Sequence, residues 1–373
     1  MKLMSEMNDI HRRLQSMMRP YESPQHAVVA FHLVEETVTY LQSGSNVPDA
    51  PCEDWIFEIG SVTKVFTAIL LCLLVEEGTI DPQAPLSDMS DTLKDVPEWI
   101  TPHRLISHTS GLPNYYMPLW KALLRQQPDG PYAAFSRADL IAWFRNRRGG
   151  PRSSTGRHVY SNLGVGLLGE AMALMEQKRF VDLLAEKVTG PLRLKDTTDH
   201  LDSDQQSRFA TPKTTGGKPV PPWTFQSLAA AGCLRSTARD LVCFAKAATR
   251  AVNAPETALD RAIRKSAALL FGLGPKGAMT PTAQCSGWLL MTPDKQEPGF
   301  LFHNGGTAGS SCALYISPER NAACAVLSNN GVAGNLWGST KLNWSNPTKR
   351  ASELFAMVRT TGFSAALRHQ ISQ

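Results

Sequence analysis

The chain contains 373 residues, of which 42% are hydrophobic and 19% are charged, and its formal net charge is +5 at pH 7. A chain of this length and apolar content can bury a sizeable core, in one large composite domain or in two domains. The charge is too weak and too dispersed for a nucleic-acid-binding protein, so we expect no nucleic-acid partner.

The cysteines and the first residues favour a cytoplasmic protein. The seven cysteines form no C-x-x-C pair and several stand in apolar segments, which is typical of a reducing compartment rather than a disulfide framework. Apolar residues recur at helical spacing from Met7 to Met17, without the continuous apolar core of a secretory signal. The longest apolar stretch, Val65 to Val75, is too short to span a bilayer. We therefore expect a cytoplasmic location and no membrane span.

The N-terminal part of the chain predicts a helix over 7–17, then two strands and a buried helix. Residues 26–34 and 37–41 are rich in Val, Phe and Thr, which predicts a β-hairpin. The segment from Ser61 to Glu77 is apolar on nearly all sides, which predicts a buried helix that ends at Gly78.

The middle of the chain is predicted to be helical. Residues 81–222 are rich in proline and show no clear strand alternation, and helical patterns occur at 140–144, 163–177 and 180–187. A further helix is predicted over 237–249, with Ser236 as its N-cap.

Short strands return in the last hundred residues. Alternating or apolar β segments, separated by turns, are predicted at 287–292, 300–303, 311–316 and 322–328. A final helix is predicted over 352–358.

Strands at both ends of the chain and helices between them predict an α+β fold of the α/β sandwich type. In this fold, both chain ends form one antiparallel sheet flanked by helices, and a mainly helical domain is inserted. We predict that residues 1–80 and 223–373 form the α/β domain, that residues 81–222 form the helical domain, and that the active site lies at their interface.

A candidate nucleophile and a candidate base stand at the start of the predicted buried helix. The sequence F-E-I-G-S-V-T-K at 57–64 places Ser61 and Lys64 one helical turn apart on the same face. A lysine among apolar residues has a lowered pKa and can activate a neighbouring hydroxyl. The alternative is a helix-capping serine beside a lysine that reaches solvent, because a bare S-x-x-K occurs by chance about once in a chain of this length.

Two later motifs offer further polar groups. Y-S-N at 160–162 supplies a phenol that can carry a proton and an amide that can orient other groups. H-N-G-G at 303–306 follows an apolar strand, and its glycines permit close backbone approach and leave the Gly306 N–H free to point into a cleft. The alternatives are a turn before the helix at 163–177 and an ordinary hairpin turn.

Together these motifs resemble those of the serine β-lactamase and penicillin-binding-protein superfamily, in particular its class C-like branch of esterases, D-amino-acid peptidases and acyltransferases. Ser61-x-x-Lys64 matches the first family motif and Tyr160-x-Asn162 matches the second. His303 begins the stretch that stands where the third motif, usually Lys-Thr-Gly, is found. The resemblance covers about residues 25–330, and family-like stretches also occur at 105–113, 191–198 and 230–240.

The resemblance implies an acyl-enzyme mechanism that uses neither a metal nor an organic cofactor. Ser61 would attack a carbonyl carbon, Lys64 would accept its proton with help from Tyr160, and Tyr160 would protonate the leaving group. The resemblance also implies a substrate-binding and oxyanion-binding set, which consists of Ser61, Asn162, His303, Asn304, Gly305 and Gly306. In this set the backbone N–H groups of Ser61 and Gly306 bind the oxyanion, and Asn162 positions Lys64 and the acyl side chain.

The chain departs from the family pattern at His303. A histidine there removes a permanent positive charge where β-lactams and C-terminal peptides present a carboxylate, and it is expected to be only partly charged near neutral pH. We therefore predict a serine hydrolase that acts on an ester, amide or thioester. The alternatives are a biosynthetic acyltransferase or cyclising thioesterase, in which an alcohol or amine replaces water, and a non-catalytic penicillin-binding-like sensor.

The expected partner is a small-molecule or acyl/peptidyl substrate. The basic run from Arg145 to Arg157 is most simply a solvated surface, and the less favoured interpretation is a rim that attracts an acidic acyl carrier. His103 and His108 lack the H-E-x-x-H arrangement, so we expect no metal site.

Overall fold

The computed structural model describes residues 25–45, 47–117, 129–146, 156–274, 281–291 and 299–331. The helices predicted over 7–17 and 352–358 lie outside the described residues, as do 147–155 of the basic run.

An antiparallel sheet of eight strands lies at the centre of the described chain. The strands are β1 (Val28–Val34), β2 (Thr37–Ser43), β3 (Ile56–Glu58), β4 (Arg235–Thr237), β5 (Leu269–Gly272), β6 (Ala283–Cys285), β7 (Leu289–Met291), β8 (Phe300–Gly306), β9 (Ser311–Ser317) and β10 (Ala322–Ser328). The order in the main sheet is β2-β1-β10-β9-β8-β7-β6-β5, and β3 and β4 form a separate pair. Strand β1 pairs with β10 over its whole length. The two ends of the chain therefore meet in one sheet, which confirms the predicted fold class.

The α-helices of the described chain lie between β3 and β5. They are α1 (Thr63–Glu76), α2 (Pro102–Ile106), α3 (Arg137–Arg145), α4 (Asn162–Met175), α5 (Phe180–Leu184), α6 (Ser203–Ser207), α7 (Ala238–Asn253) and α8 (Ala258–Ser266). No helix in the described part of the chain has the length and apolar character needed to cross a bilayer. The proposed domain boundaries stay a prediction.

Two details of the helix predictions were wrong. Ser61 lies in a 3₁₀ turn, Gly60–Val62, and the α-helix begins two residues later at Thr63. Thr237, not Ser236, caps α7, and its hydroxyl accepts the Asp240 N–H at 3.1 Å. Ser236 lies one residue further from the first helical residue, Ala238, and its hydroxyl is 2.9 Å from the Thr197 hydroxyl instead.

The core explains why α1 is apolar on every side. All side chains from Thr63 to Leu74 are buried. The alternating residues Val29, Phe31 and Leu33 of β1 belong to the same hydrophobic cluster as this helix, whereas the other face of β1 belongs to a second cluster. Helix α1 is therefore part of the core, and Ser61 lies two residues before the start of this buried helix.

Candidate active site

Ser61 lies at the junction between β3 and α1. Gly60 forms this junction with a φ angle of +49°, in the left-handed region that favours glycine. A Cβ atom built on Gly60 would lie 2.7 Å from the Gly306 nitrogen, so a side chain would not fit. The turn thus brings Ser61 directly against the end of β8.

The amine of Lys64 lies beside the Ser61 hydroxyl. Lys64 Nζ is 2.9 Å from Ser61 Oγ and 2.6 Å from the carbonyl oxygen of Ala231. Helix α1 is fixed to the same strip of chain by Thr67, whose hydroxyl donates to the Ala230 carbonyl at 2.8 Å. The strip at 230–231 therefore orients the lysine side chain toward the serine.

Burial determines the charge of Lys64. Its side chain is completely buried, and burial holds its pKa well below the usual value near 10.5. No carboxylate forms an ion pair with it within the described residues. A lysine in such surroundings favours the neutral amine, which can accept a proton.

Tyr160 completes the group around Ser61. Its hydroxyl donates to Ser61 Oγ at 3.0 Å, and Lys64 Nζ lies 5.1 Å from the centroid of its ring. Burial raises the pKa of Tyr160 above its usual value, so the side chain remains a neutral phenol. Lys64 rather than Tyr160 is therefore the better proton acceptor.

His108 supports Tyr160, a contact that the sequence did not predict. The two rings are 4.6 Å apart, and His108 Nδ1 accepts the backbone N–H of Ser161 at 3.2 Å. Burial, with a smaller effect from Lys64, lowers the pKa of His108 well below its usual value. The neutral ring therefore packs against the tyrosine. The only sequence signal was the position of His108 in the family-like stretch at 105–113.

Asn162 starts α4 next to this group. Its backbone N–H donates to Asn114 Oδ1 at 3.2 Å. Its own Oδ1 is buried and has no hydrogen-bond partner within the described residues. The hydrogen bonds of Lys64 Nζ go to Ser61 and Ala231 rather than to Asn162. The implied contact between Asn162 and Lys64 is thus not part of this geometry.

His303 is buried and neutral. Only 2% of it is exposed, and its Nδ1 donates to the carbonyl of Asn304 at 2.7 Å. Burial, with a smaller contribution from Lys64, lowers the pKa of His303 to about 3. The expectation that His303 is partly charged near neutral pH was therefore wrong, since the sequence did not reveal its burial.

Gly305 allows the end of β8 to pack closely against the turn that carries Ser61. A Cβ on Gly305 would lie 1.9 Å from the Ile59 carbonyl oxygen and 2.8 Å from the Ser61 nitrogen. The lack of a side chain is thus required for β8 to approach the turn that carries Ser61, rather than for a substrate to approach β8.

The N–H of Gly306 points away from β9. Thr307 N–H donates to the Ser310 carbonyl at 2.9 Å, and the next pair in the register is Gly306 opposite Ser311. Hydrogen bonding alternates along an antiparallel ladder, so the Gly306 N–H faces the other side of β8. On that side the pairing with β7 ends at Phe302.

The backbone nitrogens of Ser61 and Gly306 therefore belong to two segments in direct contact, beside a serine, an amine and a phenol. Over the described parts of the chain, no group of three or more His, Cys, Asp or Glu side chains could hold a metal ion. The arrangement can hold a carbonyl group and move a proton without one.

Comparisons with known proteins identify the family and several relatives of the chain. Residues 29–335 match the family model described as Beta-lactamase. The D-alanyl-D-alanine-carboxypeptidase/endopeptidase AmpH of Escherichia coli (strain K12) is 27% identical over 307 residues, which are 76% of this chain and 73% of that protein. Penicillin-binding protein 4 of Amycolatopsis lactamdurans is 26% identical over 319 residues, which are 79% of this chain and 76% of that protein.

Solved structures share the fold. The beta-lactamase/D-alanine carboxypeptidase of Pseudomonas syringae has a TM-score of 0.75 at 18% identity, with 94% of this chain and 98% of that chain covered. The class C beta-lactamase of Rhodobacter sphaeroides has a TM-score of 0.72 at 20% identity, with 94% and 99% covered. Because the family model matches most of its length, the chain belongs to the beta-lactamase family of serine hydrolases.

Proposed function

We propose that the protein hydrolyses an ester, amide or thioester through an acyl-enzyme formed on Ser61. One observation carries this proposal: Ser61 Oγ lies 2.9 Å from the Lys64 amine and 3.0 Å from the Tyr160 hydroxyl. A nucleophile within hydrogen-bond reach of a base whose pKa is lowered is the arrangement that covalent catalysis requires.

Acylation uses each of these groups once. Ser61 Oγ forms a bond to the carbonyl carbon while the neutral amine of Lys64 takes the hydroxyl proton. The carbonyl oxygen becomes an oxyanion, which the N–H groups of Ser61 and Gly306 stabilise. When the bond to the leaving group breaks, Tyr160 donates its proton to that group and is protonated again from Lys64.

Deacylation reverses these roles. A water molecule attacks the acyl carbon and gives its proton to Tyr160, which passes its own proton to the Lys64 amine. When the bond between the acyl carbon and Ser61 Oγ breaks, Lys64 returns that proton to Ser61, which leaves as the free hydroxyl. An alcohol or amine in place of water gives acyl transfer with the same residues. Product analysis with and without such an acceptor separates hydrolysis from transfer.

The substrate class follows from the end of β8. The neutral, buried His303 stands where the family usually has a lysine, so this position offers no permanent cation to a substrate carboxylate. We therefore propose an acyl or peptidyl substrate whose recognition does not depend on a carboxylate at this position.

Two further expectations remain proposals. All seven cysteines are unpaired, which supports a reducing, cytoplasmic compartment. Arg145 forms an ion pair with Asp95 at 3.1 Å, so this part of the basic run has a partner of its own. That ion pair favours a surface role for the run over a rim for an acidic acyl carrier.

The proposal is tested by covalent labelling of Ser61. Intact-protein mass spectrometry after incubation with a fluorophosphonate, p-nitrophenyl acetate or p-nitrophenyl butyrate should show one adduct on the wild type and none on Ser61→Ala. Turnover of the esters should fall by at least about 10⁴-fold in this variant. Ser110→Ala, which removes another serine from the family-like stretch at 105–113, should label normally. Ester turnover that survives in Ser61→Ala would refute the mechanism.

A further inference from the structure

A buried carboxyl group, Glu58, stands three residues before Ser61 and has no role in the chemistry described above. Only 3% of Glu58 is exposed, and both of its oxygens are occupied. Oε1 accepts the backbone N–H of Trp223 at 2.6 Å, and Oε2 accepts the hydroxyl of Thr307 at 2.6 Å. Burying a carboxyl group is costly, so such a group calls for a function.

Thr307 is the residue directly after Gly306. Its hydroxyl oxygen also accepts the N–H groups of Ser310 at 3.0 Å and Gly309 at 3.3 Å. The hydroxyl therefore joins the Glu58 carboxyl to the turn between β8 and β9. This turn fixes the direction of the last peptide groups of β8, including the Gly306 N–H.

Glu58, at the other end of its hydrogen bond to Thr307, is also held by several contacts. Glu58 is the last residue of β3 and lies opposite Arg235 of β4. The guanidinium of Arg235 donates to the Trp223 carbonyl at 3.1 Å, while Glu58 accepts the Trp223 N–H. Glu58 and Arg235 thus bind the backbone N–H and the backbone carbonyl of Trp223, respectively. These contacts limit the freedom of the Glu58 side chain.

We propose that Glu58 is a positioning residue that sets the distance between the two oxyanion-binding N–H groups. One of them, on Ser61, follows Glu58 in the chain, and the other, on Gly306, precedes its hydrogen-bond partner Thr307. The glycine contacts between these segments prevent a closer approach, and the bond between Glu58 and Thr307 prevents separation. This inference rests on the proposed function of Ser61.

The physical reason is the precision that oxyanion stabilisation requires. Donors stabilise the developing charge only when they lie within hydrogen-bond distance of the position that the oxygen takes in the transition state. A displacement of about 1 Å can cost about 10²-fold in rate. Loss of the link should therefore slow acylation and leave the binding of the free substrate nearly unchanged.

The decisive comparison is between Thr307→Val and Thr307→Ser in the full chain. Valine keeps the volume and removes the hydroxyl, whereas serine keeps the hydroxyl. With a fluorophosphonate, we expect the maximal inactivation rate of Thr307→Val to fall by about 10-fold to 100-fold, with an apparent binding constant within about twofold of the wild type. Thr307→Ser should stay within about threefold of the wild-type rate. Glu58→Gln, which replaces one accepting oxygen by a donor, should resemble Thr307→Val.

Asp240 provides a matched control. It is a buried carboxyl group that accepts one backbone N–H, of Asp196, and one threonine hydroxyl, of Thr197, both at 2.8 Å. Asp240→Asn should lower the melting temperature yet leave the inactivation rate unchanged. An equal loss of rate in Asp240→Asn, or a wild-type rate in Thr307→Val, would overturn the inference.

The results also separate this inference from the function on which it rests. A wild-type protein that the fluorophosphonate does not label at Ser61 would overturn both. A wild type that is labelled, together with Thr307 and Glu58 variants that react at the same rate, would overturn the positioning role alone. If Glu58→Gln does not fold, the two Thr307 variants still decide the question.

Discussion

Two basic side chains of this protein, Lys64 and Arg208, have opposite surroundings. Lys64 is completely buried and meets one hydroxyl and one carbonyl oxygen. Arg208 keeps 17% of its side chain exposed, and its guanidinium donates to both oxygens of Asp196, at 3.0 and 2.8 Å, and to Asp204 at 3.0 Å. Burial lowers the pKa of Lys64, whereas hydrogen bonding to Asp196 raises the pKa of Arg208.

The difference shows how the surroundings of a basic residue set its protonation state, and therefore whether it can form an ion pair or accept a proton. Carboxylates around Arg208 favour its charged form, and a group that keeps its proton cannot act as a base. Lys64 has no such partner in the described chain, so the fold bears the cost of burying an amine, and this neutral amine is the proton acceptor that we propose. The absence of an acid beside Lys64 is thus as important as the presence of Ser61.

The strongest test of this contrast is Lys64→Met, which keeps the length and volume of the side chain and removes the amine. Loss of the general base should lower the acylation rate by about 10²-fold to 10⁴-fold. Burst kinetics with p-nitrophenyl butyrate measure this step directly. If the variant acylated at more than about a tenth of the wild-type rate, Lys64 would not be the general base, and Tyr160 would be the better candidate.

The same variant tests the charge of Lys64 through stability. In the unfolded wild type the lysine binds a proton up to a pH of about 10.4, whereas in the fold it releases that proton at a lower pH. The unfolded state therefore holds more protons, and wild-type stability should rise relative to Lys64→Met by about 1.4 kcal/mol per pH unit in this window. Denaturant titrations at several pH values measure the slope. Parallel curves would mean that Lys64 stays protonated in the fold.

The pH dependence of kcat/KM should report the titration of Lys64. Activity should rise about tenfold per pH unit up to the pKa of Lys64 and then level off, well below pH 10.5, because only the neutral amine accepts a proton. The neighbouring groups do not produce this limb. His303 has a pKa of about 3, the pKa of His108 is lowered, and that of Tyr160 is raised. A rising limb centred near pH 10 would contradict the lowered pKa of Lys64.

Local patterns in the sequence were sufficient for much of the fold. The hairpin of β1 and β2 follows from β-forming residues on either side of a tight turn, and the apolar helix α1 follows from a run without polar interruption. Strands β3 and β4 were missed because each has three residues, and their pairing joins positions nearly 180 residues apart. The pattern of neighbouring residues in the sequence does not indicate a partner strand so far away.

The same limit applied to the site. The spacing of Ser61, Lys64 and Tyr160 pointed to the candidate catalytic group, because these residues stand in short motifs that can be read directly from the sequence. The burial of His303 and the packing of His108 on Tyr160 depend on elements that are distant in the chain. The sequence therefore identified the candidate reacting groups and not the contacts that set their charge.

The smallest expected effect on activity completes the comparison of the two basic residues. Arg208→Met removes a bidentate ion pair whose two side chains are each only 17% exposed and leaves Asp196 without its cation, so we expect a loss of about 1–3 kcal/mol in the free energy of unfolding. Acylation should stay within about twofold of the wild-type rate, because Arg208 contacts Asp196, Asp204 and the Asp54 carbonyl rather than the Ser61 group. Chemical denaturation and burst kinetics on the same preparation measure both quantities. If Arg208→Met slowed acylation as much as Lys64→Met does, activity would depend on the general integrity of the fold. The loss of rate in Lys64→Met would then not be evidence that Lys64 is the general base.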